Sequence, residues 1–184
     1  MVEGLATRIF VAVPLPDEIR MALAARLGSL DMPGKVVPPE NWHITLRFLG
    51  WADDVAIDRM LAALDEADLG APFDLMLGAM GAFPRPRNAT VIWLAVSNGL
   101  TRLEQLADVA EEAAQSAGFG PEDRPFRAHL TLSRVRPAED VSGLLETLSD
   151  TGVGWRCRSV VVYRSHLGRG GARYEPLETF PLTR

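Results

Sequence analysis

The chain has 184 residues, 47% hydrophobic and 23% charged, which excludes a disordered or fibrous polymer and supplies enough apolar surface for one domain or two closely packed lobes. A formal charge of −5 argues against a protein that coats duplex nucleic acid, which needs many cationic contacts to phosphates, and leaves room only for a local basic cleft. No apolar stretch reaches the roughly 20 residues of a membrane span, residues 1–10 lack a basic signal-type start, and Cys157 is the only cysteine, so a cytoplasmic protein with a buried structural thiol is expected.

Residues 8–16, RIFVAVPLP, read as a buried strand, and Pro16 with Asp17 and Glu18 opens a helix whose Ile19, Leu23, Leu27 and Leu30 recur at helical spacing. The turn-rich stretch 31–41 leads into HITLRFLG, 43–50, where Ile44, Leu46 and Phe48 alternate with His43, Thr45 and Arg47. That alternation predicts a strand with an apolar face and a chemically distinct one. Asp53 and Asp54 cap a helix to about residue 68, residues 73–83 and 89–96 form an antiparallel pair joined by PRPRN, and residues 98–117 form the longest helix. The loop GFGPEDRPFRA leads to a strand over 129–136, followed by a helix over 137–150 and a hairpin of 154–167 with 173–182 turned by GRGG. Strands that neighbour strands throughout favour an α+β class over a doubly wound parallel sheet.

HITL at 43–46 returns as HLTL at 129–132, each in a strand and each followed by an arginine, Arg47 and Arg134. A single H-x-T reads as a half-buried histidine satisfied by its own threonine. Two copies in equivalent strands point to a duplicated half-domain. Residues i and i+2 of a strand share a face, so each copy presents an imidazole beside a hydroxyl, and two such strands surround one cleft with two of each. Splitting a phosphodiester without a metal requires a base for the attacking oxygen and an acid for the leaving one. Imidazole, with a free pKa of about 6.5, serves either role after a small environmental shift, and each proton transfer is worth roughly 10²–10⁴-fold in rate.

With RIFVAVPLP, NWHITLRFLG, VIWLAV, RPFRAHLTLSR and YRSHLGRGGARYEPLETFPL in this order, the sequence resembles the RNA 2′,3′-cyclic phosphodiesterases, or 2′-5′ RNA ligases, of the 2H phosphoesterase superfamily over nearly its whole length. The resemblance implies one bilobal domain over residues 1–184, with two antiparallel sheets and flanking helices related by a pseudo-two-fold about a central cleft. It implies opening of a terminal RNA 2′,3′-cyclic phosphate to a 2′-phosphomonoester, with no cofactor and no metal, and ligation when a 5′-hydroxyl RNA is the partner. His43 and His129 are then the acid–base pair, with His43 assigned to the 3′ oxygen and His129 to water. Thr45, Thr131 and Arg134 hold the phosphate, and Phe10, Arg124 and Arg127 are candidate base or RNA contacts. The implied partners are cyclic-ended RNAs, tRNA fragments among them, for a monomer that does not engage membranes. Ala128 departs from the proline common in the family before the second motif.

Two other readings stay open at this stage: the same chemistry on a small cyclic nucleotide phosphate, and a non-catalytic RNA-end binding module. Arg85 and Arg87 read as loop arginines with a possible place on a nucleic-acid path. His166 lacks partners at metal-ligand spacing and reads as a surface histidine.

Overall fold

The computed structural model describes residues 6–183; residues 1–5, which the expectation of a leaderless start includes, and residue 184 lie outside the described residues. Strand and helix follow from periodicity. β1 (Thr7–Pro14) is apolar on both faces and buried on both over residues 9–13, α1 (Asp17–Leu27) buries Leu23 and Leu27, and a two-residue strand β2 (Lys35–Val36) follows. β3 (His43–Ala52) leads to α2 (Asp54–Asp65), whose first turn is closed by the Asp53 carboxylate accepting from the Ala56 N–H at 2.8 Å. β4 (Phe73–Phe83) and β5 (Ala89–Asn98) pair antiparallel as expected. α3 (Leu100–Ser116) turns Leu103, Leu106, Ala107, Ala110, Ala113 and Ala114 inward at three- and four-residue spacing, and its alanines let it lie close on β3 and α2.

The remaining elements correct two expectations. β6 (His129–Glu139) runs on through Pro137 because Glu139 pairs with Ala89 of β5, so the expected helix over 137–150 shrinks to one turn, α4 (Ser142–Leu145). Pro137 and Gly143 in that stretch weaken any helical competitor to the ladder. The single strand expected over 154–167 is two strands: β7 (Val153–Cys157) pairs with β4, and after Arg158 the chain crosses to β8 (Ser159–Gly168), which pairs with β1 and turns into β9 (Gly171–Pro181).

Among the described residues the strands form one antiparallel sheet in the order β7-β4-β5-β6-β3-β1-β8-β9, with β2 added beside β6. Read from its middle outward, each half repeats the other: β6, β5, β4, β7 on one side and β3, β1, β8, β9 on the other. The expected α+β class with a pseudo-two-fold is therefore what the chain adopts, with the two expected antiparallel sheets joined into one between β3 and β6, and the crossing at Arg158 laces the C-terminal strands into the half begun by β1. The halves meet at one register pair, Ile44 opposite Leu130, both fully buried.

Trp93 in β5 lies across Gly81 in β4, where an added Cβ would come within 2.3 Å of the indole. That close approach seats the indole beside Phe83, 4.9 Å away, and within 6.3 Å of the His129 ring. Gly81→Val should destabilise the protein by about 1–3 kcal/mol in urea unfolding, the usual scale for overpacking a filled site. An unchanged midpoint would show that Trp93 is free to move away.

Candidate active site

The Ile44–Leu130 pair turns the backbones so that the flanking residues face the opposite side of the sheet from the core. Continuing that antiparallel register sets His43 across from Thr131 and Thr45 across from His129. One cavity of about 490 Å³ is lined by all four, together with Arg134. The five residues expected to form the centre are thus brought together.

Arg134 reaches the cleft by a route that simple alternation does not give. Along β6, His129 and Thr131 share a face, and regular pleating would send Ser133 to it and Arg134 away. The β5–β6 register steps from Trp93 opposite Thr131 to Ile92 opposite Ser133, leaving Leu132 as a bulge that reverses the alternation. Ser133 is consequently fully buried and Arg134 exposed. β3 bulges at the same place: Ala12 opposes Thr45 and Val11 opposes Arg47, with Leu46 left over. Arg47 is therefore buried, at 7% exposure, and Phe48 faces out at 40%. The expectation that Arg47 shares the cleft face with His43 while Phe48 joins the core is reversed by this bulge. The partner of Arg134 in the repeat is Phe48, as aligning HITLRF with HLTLSR already places it.

Each imidazole is oriented in the same way. His43 Nδ1–H donates to the Asn41 carbonyl at 2.7 Å, and His129 Nδ1–H donates to the Arg127 carbonyl at 2.7 Å. A carbonyl only accepts, so in the neutral rings Nε2 carries the lone pair. His43 Nε2 accepts from the Thr45 hydroxyl at 3.0 Å. Asn41 is itself held, its side-chain amide donating to the Ala172 carbonyl of β9 at 2.7 Å. Burial pushes the His43 imidazole down to about 4, against the opposing pull of the Asn41 carbonyl, and the charges of His129, Arg134 and Arg20 add to the depression. Burial also lowers His129, opposed by the Arg127 carbonyl and assisted by Arg134.

The two histidines sit in unlike surroundings. His43 is caged by aromatic rings, with Phe10 at 4.8 Å, Tyr174 at 5.2 Å and Tyr163 at 6.4 Å between centroids. Phe10, the expected stacking residue, lines the same cavity but is only 3% exposed, with its ring tilted against the imidazole. The open aromatic at the mouth is Phe48, with the Arg8 guanidinium 5.0 Å from its centroid. His129 has two aromatic neighbours, Phe83 edge-on at 5.3 Å and Trp93 at 6.3 Å, and borders two further cavities. Arg124 and Arg127 are exposed and line the two cavities beside it. Arg85 and Arg87 lie on the turn between β4 and β5, outside the cleft lining.

Sequence reasoning missed Arg8, Asn41, Phe48, Arg136 and Tyr174, all of which line the cleft. Only Phe48 had a signal, its place in the repeat. His166 is half-buried and pairs with Glu175 at 2.6 Å. Cys157 is buried, and burial pushes its thiol up to about 11. Among the described residues, no three His, Cys, Asp or Glu side chains converge as metal ligands would, and no helix is long and apolar enough to cross a membrane.

Residues 13–93 match the family model of the LigT-like phosphoesterases, and residues 94–174 match it again, one copy for each H-x-T motif. The RNA 2′,3′-cyclic phosphodiesterase of Archaeoglobus fulgidus is 34% identical over 177 residues, which cover 94% of this chain and 99% of that protein. The crystal structure of Escherichia coli LigT in apo form is similar with a TM-score of 0.83 at 28% identity, covering 97% of this chain and 99% of that one. The same E. coli protein complexed with 3′-AMP gives 0.81 at 28% identity with the same coverage.

The depressed His43 couples the site to stability. The unfolded ring takes up a proton near 6.5 and the folded one only near 4, so its contribution is complete above 6.5 and is lost as pH falls toward 4. Over that interval the loss should amount to on the order of 3 kcal/mol, at about 1.4 kcal/mol per pH unit. His43→Asn should flatten the slope of unfolding free energy against pH by up to one proton between pH 6.5 and 4; identical slopes would mean that His43 titrates normally.

Proposed function

The chain belongs to the LigT-like phosphoesterase family, and on that premise we propose that it opens the 2′,3′-cyclic phosphate of an RNA 3′ end to a 2′-phosphomonoester by two-histidine acid–base catalysis. The observation that supports this most directly is the paired anchoring of the rings: each Nδ1–H is tied to a carbonyl two residues upstream, leaving Nε2 for the cleft beside a threonine. The proposed domain is the whole chain, because each half contributes one histidine.

Water attacks phosphorus in line with O3′. The new P–O bond forms as P–O3′ breaks, and the phosphate stays on O2′. His129, which borders three open cavities, receives the proton of the attacking water on Nε2. His43 delivers the proton that O3′ takes as it leaves. Its low pKa makes the imidazolium a stronger acid than an ordinary one, and the anionic phosphodiester supplies the charge that lets it protonate. Once His43 Nε2 carries a proton the Thr45 hydroxyl no longer donates to it and, with the Thr131 hydroxyl, donates to the non-bridging oxygens, while the Arg134 guanidinium balances the charge that develops there. Ligation is the same displacement with a 5′-hydroxyl in the place of water, giving a 2′-5′ linkage. None of these steps asks for a metal ion.

On an oligonucleotide with a cyclic phosphate end the product should be a 2′-phosphate, formed equally well in EDTA. His43→Ala and His129→Ala should each lower turnover by roughly 10²–10⁴-fold, and normal turnover in either would sink the mechanism. Replacing O3′ by sulfur, a leaving group that needs no proton, should rescue His43→Ala and leave His129→Ala inactive; rescue of the other variant would exchange the two roles.

A further inference from the structure

Beyond His129 the cleft continues into a second cavity of about 480 Å³, which shares His129, Thr131 and Arg134 with the reaction centre and extends past them among Phe83, Val91, Arg124, Pro125 and Arg127. Three arginines and no carboxylate line it, in a chain whose overall charge is −5. The Arg127 guanidinium stands 6.0 Å from the Phe83 ring centroid. A water nucleophile needs neither this volume nor these charges.

The wall that carries the arginines is built rather than loose. The buried Arg47 donates to the Gly120 carbonyl, to Glu111 and, at 3.5 Å, to Glu122. Glu122 in turn accepts from the backbone N–H of Arg124 at 3.4 Å, and the Glu111 carboxylate accepts from the Glu122 N–H at 3.1 Å. At its other end the loop is tied to the site itself by the His129 bond to the Arg127 carbonyl. The bulge in β3 that buries Arg47 therefore fixes the position from which Arg124 and Arg127 project.

We propose that this cavity is a second-nucleotide subsite that holds the residue immediately 5′ of the cyclic-phosphate nucleotide: its phosphodiester against Arg124 and Arg127, its base against Phe83 and Pro125. The proposal rests on the phosphodiesterase function above and narrows its substrate to RNA chains over mononucleotides. Apolar ring faces beside paired guanidinium groups are the chemistry that holds a single-stranded nucleotide without reading its base, so the subsite is sequence-tolerant.

The test compares kcat/KM on a dinucleotide ending in a 2′,3′-cyclic phosphate with that on a mononucleotide 2′,3′-cyclic phosphate, for the wild type, Phe83→Leu and Arg124→Ala/Arg127→Ala. Taking the ratio of the two substrates cancels any change at the histidines. The wild type should favour the dinucleotide by at least about fivefold, the low end for one base stacked on an aromatic ring. Both variants should bring the ratio close to one, and the arginine variant, altered only at exposed side chains, should also flatten the salt dependence on the dinucleotide. A wild-type ratio near one, or a preference that survives in both variants, overturns the subsite. So does a preference that survives while a 5′-hydroxyl oligonucleotide competes with the wild type alone, since the cavity would then hold the incoming strand. Failure to turn over either substrate would remove the phosphodiesterase function and the subsite with it; turnover of both without preference removes only the subsite.

Discussion

The site depends on one backbone pairing, Ile44 opposite Leu130. It is the register pair that joins β3 to β6, and so the point at which two half-sheets become one. Both side chains are fully buried, and pleating then obliges the residues on either side of them to face the other way. Those residues are His43, Thr45, His129 and Thr131. A slip of one residue in either strand would turn its histidine and threonine into the core and its isoleucine or leucine into the cleft. Hydrophobic burial on one side of the sheet thus sets the polar geometry on the other.

The bulge after each threonine is the second constraint, and it converts a repeat into two different half-sites. In both strands it buries the fourth residue after the histidine and exposes the fifth. In β3 those are Arg47 and Phe48; in β6 they are Ser133 and Arg134. The two buried residues do comparable work: Arg47 binds the loop at Gly120, and the Ser133 hydroxyl donates to the Pro33 carbonyl, fixing the loop that leads into β2. Gly34 in that loop has φ +80° and lies so close to the Arg134 carbonyl that a Cβ would come within 2.5 Å, which is why only glycine fits there. The two exposed residues differ in kind, an aromatic ring on one side and a guanidinium on the other. Conserving the backbone device while changing the side chain gives the cleft a direction.

How far this was legible in the sequence follows from range. The H-x-T copies are local patterns with a fixed period, so the strands, the shared face and the grouping of the two histidines with Thr45 and Thr131 could be read directly, whereas the place of Arg134 came from the family resemblance and depends on the bulge in β6. The side on which Arg47 and Phe48 fall could not, because a bulge is a property of pairing with β1 and leaves no mark in the composition of β3 alone. The cage around His43 was equally hidden. Tyr163 and Tyr174 lie more than a hundred residues away, on β8, which joins β1 only because the chain crosses the sheet at Arg158, and on β9, which pairs with β8; nothing in the local pattern of residues 154–167 marks that crossing. The helix expected over 137–150 failed for the same reason: a ladder with β5 overrode the local pattern.

That distant contribution answers a difficulty inherent in a duplicated acid–base site. Two identical copies would give two imidazoles with one pKa, while the proposed reaction needs them in opposite protonation states at the same moment. The anchoring to a carbonyl two residues upstream is the same in both copies and cannot separate them. What separates them is cover. β8 and β9 close over His43 with two tyrosines and, through Ala172, clamp the residue that holds its Nδ1. In the other half β4 occupies the place of β8 and sends Phe83 edge-on to His129; Trp93 of β5 stands 6.3 Å away, and a cationic loop and open cavities flank the rest of that ring. The difference in cover that the proposed one-way proton transfer uses therefore comes from the outer strands, and it adds to the difference between Phe48 and Arg134 that the inner strands carry.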